Sequence, residues 1–294
     1  MITAKNYAAQ AEVGLIKYIG WLKSTGQIDE AKYTGGIVNG LRNGVKFVIP
    51  DEGVILDDDL KGIMSKQVRL PFRVTVIEYA RTPKVLDKRS YAIDKLVMLC
   101  IELEEAGEFS IHPIVHYIRG KGDERWLPSA YEAIIPSENQ LRVGGDGRVE
   151  FHSQTIQSRA IEYKGMVDDD GETHDEDKVH MEILSHCIAA TYELLEALSC
   201  TNIEQSIYQP ASPKNAQRIK SHKAPIYETR YLTLKTTKKE SFGGGDGTSS
   251  HKSPKQHLRR GHIRRLEKGN IWVNSCVVGD ASNGIIDKYY KIKK

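Results

Sequence analysis

Nine consecutive residues near the C-terminal end combine side chains that bind phosphate and carboxylate groups. Residues 257–265 read His-Leu-Arg-Arg-Gly-His-Ile-Arg-Arg, with four arginines and two histidines. An arginine guanidinium presents several N–H donors in one plane and pairs bidentately with phosphate or carboxylate oxygens, which RNA, DNA and acidic peptides all offer. We therefore predict a binding site formed by His257, Arg259, Arg260, His262, Arg264 and Arg265, supported by the hydrophobic stretch around Trp272.

Charge is unevenly distributed along the chain. Residues 214–294 carry 19 Lys and Arg against 6 Asp and Glu, a net charge of +13, whereas residues 1–213 carry 23 against 33, a net charge of −10. A concentrated basic region indicates an acidic partner. Two alternatives stay open. In the first, the basic region neutralises the acidic part of its own chain. In the second, its charges only protect an exposed strand edge from aggregation.

Two patterns superficially suggest metal sites. His251, His257 and His262 are spaced by six and five residues, which fits neither helical pairs nor zinc-finger spacing. The acidic segment 168–177 has Thr173 where a calcium loop requires glycine at its sixth position. We predict hydrogen-bonding histidines, a solvated acidic loop and no bound metal.

A third pattern contains the same residue types as the motif of a magnesium-dependent nuclease. In such enzymes two carboxylates hold the metal and a lysine positions water, as Pro50-Asp51 and Asp59-Leu60-Lys61 could do. The second acid and the lysine should lie on a strand, but residues 57–60 read as a turn or helix start. Serine-nucleophile and phosphate-loop motifs are absent. We predict no catalytic residue, no cofactor and no enzymatic activity, with the nuclease as the least favoured alternative.

Composition indicates a folded protein of the cytoplasm. The chain has 294 residues, 39% of them hydrophobic, enough for one elaborated domain or two modest ones. The four cysteines lie far apart, so we expect reduced thiols rather than a disulfide framework. No window approaches the roughly 18 apolar residues of a membrane span, and we expect a soluble protein without a membrane partner.

Hydrophobic periodicity predicts an α+β fold. We expect an N-terminal helix, a central antiparallel sheet packed on a long helix, and a basic β-hairpin after a glycine-rich linker. The predicted division is an α+β body over 1–200, a basic connector with prolines over 201–240, and a hinge with the hairpin over 241–294. The predicted elements are helices at 3–24 and 179–199, turns at 35–36 and 43–44, strands at 45–49, 72–79, 95–102, 109–117 and 226–236, a hairpin of 261–266 with 271–278, and a last strand at 287–292.

Several short motifs in the last third of the chain resemble a group of bacteriophage proteins. The similar segments are Asn215-Ala216-Gln217-Arg218, Ala224-Pro225-Ile226-Tyr227, Gly243-Gly244-Gly245-Asp246, His251-Lys252-Ser253-Pro254, residues 257–265 and Ile271-Trp272-Val273-Asn274. One branch of that group is the type V-A anti-CRISPR family that blocks production of the effector nuclease. Its members have a similar Arg-Arg-Gly-His segment followed by a Trp-containing strand. Weaker similarity extends upstream to residues 70–79 and 197–200.

The resemblance implies an inhibitor encoded by a phage and acting in the host cytoplasm. Such a protein recognises a host immune protein or its nascent peptide and prevents its production or action. On that basis Asn215 and Arg218 join the predicted binding residues, the body holds the peptide, and the basic tail lies near messenger or ribosomal RNA. A nucleic-acid-binding phage protein is the alternative, and the sequence leaves a homo-oligomer open.

Overall fold

A computed structural model of the chain defines four α-helices, a 3₁₀ turn and sixteen strands among the residues that it describes. These residues are 5–55, 69–85, 92–103, 108–118, 122–135, 142–143, 149–150, 156–158, 176–221, 223–234, 255–259, 262–267, 269–273, 276–278 and 280–285. The helices are α1 Tyr7–Ser24, α2 Ile28–Asn43, α3 Glu176–Ser199 and α4 Ser212–Lys220, and the 3₁₀ turn η1 is Asp51–Gly53. The strands are β1 Val45–Val48, β2 Val74–Val85, β3 Ala92–Glu102, β4 Phe109–Ile118, β5 Glu124–Pro128, β6 Tyr131–Ile135, β7 Arg142–Val143, β8 Val149–Glu150, β9 Ile156–Ser158, β10 Ile203–Tyr208, β11 Thr229–Leu234, β12 Lys255–Arg259, β13 His262–Leu266, β14 Gly269–Val273, β15 Cys276–Val278 and β16 Asp280–Ile285.

The largest sheet is mixed, so the α+β class is confirmed but the expectation of an antiparallel sheet is wrong. Its strand order is β10-β11-β1-β2-β3-β4-β6-β9, with β5 also paired to β4. The predicted antiparallel pairing of β3 with β4 is present. Strand β1, however, runs parallel to both β2 and β11. The 25 residues of 49–73 connect β1 to β2, which is long enough for a parallel return.

Helices cover both faces of this sheet because successive strand residues point in opposite directions. On one face, Ile77 and Met98 pack with Ile188 and other residues of α3. On the other, Val76 packs with Leu15 of α1 and with residues of α2. Each fully buried aliphatic side chain contributes about 1.5–3 kcal/mol through its removal from water. The α1 and α3 helices, the long strands and the two cores together position the polar groups described below.

Helix α1 ends as its sequence predicts. Gly26 has a φ of +80°, a left-handed conformation that glycine adopts without a Cβ clash. The N–H of the next residue, Gln27, then donates to the carbonyl of Leu22. This contact satisfies one carbonyl at the end of the helix.

The turn predicted at Gly35-Gly36 is wrong, because these residues lie within helix α2. Three glycines made the segment look irregular, yet Gly35 and Gly36 lie within the helix with open space around them. Gly40 serves a packing role, since a Cβ there would lie 2.6 Å from Cδ2 of the buried Leu99. The absence of a side chain therefore lets α2 approach the sheet closely.

The segment predicted as a connector contributes to the main sheet. Strands β10 and β11 pair with each other, and β11 also pairs with β1. The predicted strand at 226–236 is therefore present as β11, whereas β10 and α4 were not predicted, because 201–225 is rich in polar residues and proline. The glycine-rich linker at 238–253, the predicted last strand at 287–292 and most of the acidic loop at 168–177 lie outside the described residues.

Candidate functional site

The predicted basic residues lie on two strands in the C-terminal part of the chain, which follow each other in the sequence and belong to different sheets. His257 and Arg259 lie on β12, and His262, Arg264 and Arg265 lie on β13. Arg260, between the strands, is outside the described residues. The side chain of Arg264 is exposed, so at least this guanidinium is available to a partner.

The predicted hairpin is formed by β13 and β14. Ile263 lies opposite Trp272, Arg264 opposite Ile271, and the turn closes at Gly269. The second predicted strand is divided in two, since residues 276–278 form β15 and pair with β12 instead. Strand alternation places Arg264 and Leu266 on one face, and both are exposed.

The hairpin is attached to the body at the C-terminal end of α3. The backbone carbonyl of Asn270 accepts hydrogen bonds from the N–H of Thr201 at 2.9 Å and from its hydroxyl at 3.2 Å. The Asn270 side-chain amide donates to the hydroxyl of Ser199 at 3.2 Å, and Asn270 also forms a β-bridge with Cys200. A glycine at 269 suits this contact, because a Cβ there would lie 3.2 Å from the Thr201 side chain.

Asn215 and Arg218 contact the backbone of the segment that follows α4. The Asn215 amide donates to the carbonyl of Ile226 and accepts from its N–H, both at 2.8 Å. The Arg218 Nε donates to the carbonyl of Ala224 at 2.7 Å. The side chain of Asn6 bonds to the same segment through Pro225 and Tyr227. Asn215 and Arg218 therefore hold the loop after α4 in place, and their role in binding a partner stays a prediction.

A buried carboxylate that the sequence analysis missed caps the first turn of α1. Glu78 on β2 is 1% exposed and accepts hydrogen bonds from the N–H groups of Asn6 at 3.0 Å and Ala8 at 2.7 Å. Burial disfavours the ionised form and raises the pKa of Glu78 to about 7. The signal in the sequence was an acid inside the apolar run of residues 74–79.

A buried lysine lies on the same face of the sheet. Lys46 on β1 donates to the carbonyls of Arg42 at 2.9 Å and Gly44 at 2.7 Å, and its Nζ lies 4.1 Å from the centre of the Tyr227 ring. Burial lowers its pKa to about 8. Glu12 completes the group by accepting from Arg42 Nε at 2.7 Å and from the Tyr227 hydroxyl. These contacts join α1, α2 and the segment before β11, a structural role.

A second polar network includes Ser110, His112 and Glu132. The Ser110 Oγ lies 2.8 Å from His112 Nε2, and His112 Nδ1 lies 2.9 Å from Glu132 Oε2. The Tyr33 hydroxyl of α2 donates to Glu132 at 3.0 Å and lies 3.0 Å from His112 Nδ1. The order resembles a nucleophile, a base and an orienting acid. Ser110 is only 5% exposed, within a strand paired on both sides, and we therefore assign the network to holding α2 on the sheet.

The nuclease pattern and metal binding gain no support from the described residues. Asp51 lies in η1 and forms an ion pair with Lys5, and Asp59 and Lys61 fall outside the described ranges. Within those ranges, no three His, Cys, Asp or Glu side chains are grouped so that they could hold a metal ion. No described helix is long and apolar enough to cross a membrane.

The fold and the charged strands define a mixed α+β protein that carries basic strands at its C-terminal end. No protein-family model, curated protein or solved structure matches the chain.

Proposed function

We propose that this chain is a non-enzymatic anti-defence protein, encoded by a phage, that binds a host immune protein or its nascent peptide and prevents its production or action. The observation that carries the proposal is the location of the Arg-Arg-Gly-His segment. Residues 257–265 span β12 and β13, and the hairpin partner of β13 is attached to the end of α3 through Asn270. The second half of the segment that resembles the phage inhibitors, on β13, thus belongs to a hairpin that is attached to the body through Asn270.

Electrostatics favour an acidic target for these strands. Residues 214–294 carry a net charge of +13, and the Arg264 side chain is exposed. Opposite charge on a partner increases the rate of encounter and disfavours partners of the wrong sign. Because Asn270 attaches the hairpin to α3, less conformational entropy is lost on binding than with a free tail.

The four arginines at 259, 260, 264 and 265 provide the test. In bacteria that carry a CRISPR effector nuclease, we expect the wild-type chain to restore plaque formation by a targeted phage. Replacing Arg259, Arg260, Arg264 and Arg265 with alanine should abolish that protection, because the acidic target loses its donors. Effector-nuclease level, measured by immunoblot, separates a block of production from a block of action.

A matched variant controls for net charge. Lys32, Lys214, Lys220 and Lys223 are exposed and lie outside the C-terminal strands, so their replacement with alanine removes the same four charges. This control should protect the phage as well as wild type does. Equal loss of protection in both variants, or no protection by wild type against any effector tested, would refute the proposal.

A second candidate function, RNA binding by the same strands, is favoured by the concentration of 19 basic residues in 214–294. Binding of a fluorescein-labelled single-stranded RNA should then weaken steeply with salt, because each neutralised phosphate releases counterions. Loss of four phosphate contacts should make the slope of log affinity against log salt shallower by about 3, at roughly 0.7 per contact. Fluorescence anisotropy measures this slope, and an identical slope for wild type and the four-arginine variant would exclude the arginines as RNA contacts.

A further inference from the structure

The outward face of α1 exposes apolar side chains that the body does not use. Val13 is 40% exposed, Ile16 46% and Trp21 48%. On the opposite face of the same helix, Leu15 and Leu22 are completely buried. At 100° per residue these three side chains lie within one half of the helix circumference, and from Val13 to Trp21 they extend over about 12 Å at 1.5 Å per residue.

Gly20 leaves a notch in this face. No heavy atom lies within 4 Å of the position that its Cβ would occupy, and the residue is exposed. Another helix can therefore approach the α1 backbone closely at this point, with Ile16 one turn before Gly20. Trp21 adjoins the notch and stacks on Tyr18, with ring centres 5.7 Å apart and planes inclined by 15°. An aromatic side chain held by a neighbour loses little freedom on binding, and such residues dominate interface energies.

The charges on the same face have one sign. Glu12 is the only acidic residue in α1, and it is buried and paired with Arg42 at 2.7 Å. Lys17 and Lys23 are exposed, and neither has a carboxylate partner within the described part of the chain. A partner with acidic side chains beside an apolar stripe would complement this pattern.

We propose that the outward face of α1 binds an amphipathic helix of a partner protein. Apolar side chains of that helix would lie against Val13, Ile16 and Trp21. Its acidic side chains would lie beside Lys17, which is between Val13 and Trp21 on this face, and beside Lys23 at the edge. Helix-in-groove recognition of this kind uses apolar anchors spaced three and four residues apart. This surface lies on the first helix of the chain, is separate from the basic C-terminal strands, and does not depend on the function proposed for them.

A synthetic peptide can test the surface directly. The probe is a fluorescein-labelled 20-residue helix with a leucine stripe flanked by glutamates, titrated with the full chain and followed by fluorescence anisotropy. Ile16→Asp and Trp21→Ala should each weaken binding by about tenfold or more, because each removes an apolar anchor. Ile219→Asp on α4 is the matched control, since Ile219 is 61% exposed but lies on another element, and it should leave the affinity unchanged.

A charge exchange tests the specificity. Lys17→Glu with Lys23→Glu should weaken binding of the glutamate-flanked peptide and strengthen binding of a lysine-flanked peptide with the same leucine stripe. The four-arginine variant should bind the original probe like wild type, which separates this surface from the basic strands. Unmeasurable binding of the probe, equal binding of both peptides, or equal loss with Ile219→Asp would overturn the proposal. The proposal would also be overturned if Ile16→Asp removed self-association in sedimentation velocity, or binding to anionic vesicles, without changing the affinity for the probe.

Discussion

Replacing Gly53 with alanine is expected to lower the free energy of unfolding by about 2–5 kcal/mol, the largest effect of a single methyl group anticipated here. Gly53 has a φ of +70°, where an L-residue costs roughly 1–2 kcal/mol. Its Cβ would also lie 2.8 Å from the Cβ of Ala190 on α3 and 3.2 Å from the ring of Tyr79. Overpacking of such a rigid contact adds roughly 1–3 kcal/mol.

The position of η1 explains why this contact cannot relax easily. Glu52, directly before Gly53, also has a positive φ of 65°, and its carboxylate accepts a hydrogen bond from the N–H of Thr82 on β2. After the turn, the N–H of Ile55 donates to Glu193 on α3 at 3.0 Å. The turn is therefore attached to the sheet on one side and to α3 on the other.

Gly26→Ala is the matched control for this prediction. Gly26 also has a positive φ, of 80°, but nothing lies within 4 Å of its Cβ position. Its replacement should cost only the conformational part, roughly 1–2 kcal/mol. Urea denaturation of the three proteins measures the difference, and equal losses for the two variants would show that contact with Ala190 contributes nothing.

Glu78 is expected to make the protein less stable as the pH rises from about 4.5 to 7. The ordinary pKa of the carboxyl is 4.5, and burial raises the pKa of Glu78 in the folded protein to about 7. Between these values the folded state holds a proton that the unfolded state has released, so stability falls with increasing pH and levels off above the folded pKa. The shift corresponds to about 3 kcal/mol at 1.36 kcal/mol per pKa unit.

Glu78→Gln isolates this contribution. The free energy of unfolding of wild type minus that of the variant should decrease by up to about 3 kcal/mol between pH 4.5 and 7, since other titrating groups largely cancel. Glu204→Gln, on the exposed part of β10, removes a carboxylate from the surface and should change stability by no more than about 0.5 kcal/mol. Parallel curves for wild type and Glu78→Gln from pH 4.5 to 8 would contradict the assigned cause.

Regular periodicity made several elements predictable. Helix α1 was expected at 3–24 and is Tyr7–Ser24, and α3 was expected at 179–199 and is Glu176–Ser199. The pairing of β3 with β4 and the basic hairpin also follow from alternation and turn residues. In each case a local pattern of apolar residues indicates the buried face without knowledge of the partner.

Other elements required contacts that are distant in the sequence. Helix α2 contains three glycines, and only packing of Gly40 on Leu99 makes one of them favourable. Strand β11 pairs with β1 although more than 180 residues separate them, and no local signal encodes that parallel pairing. The partners of Glu78 and Lys46 became evident only from their contacts with the start of α1 and with Tyr227.

The sequence alone determined the α+β class, the principal helices, the concentration of positive charge after residue 213 and the Arg-Arg-Gly-His segment, because composition and short-range periodicity are properties of neighbouring residues. Only the tertiary structure decided that the sheet is mixed, that the hairpin is attached to α3 through Asn270, and that Glu78 caps α1. It also decided that Val13, Ile16 and Trp21 remain exposed while Leu15 and Leu22 on the opposite face of α1 are buried. Burial and long-range hydrogen bonds depend on which distant segments meet, and that is settled only when the whole chain folds.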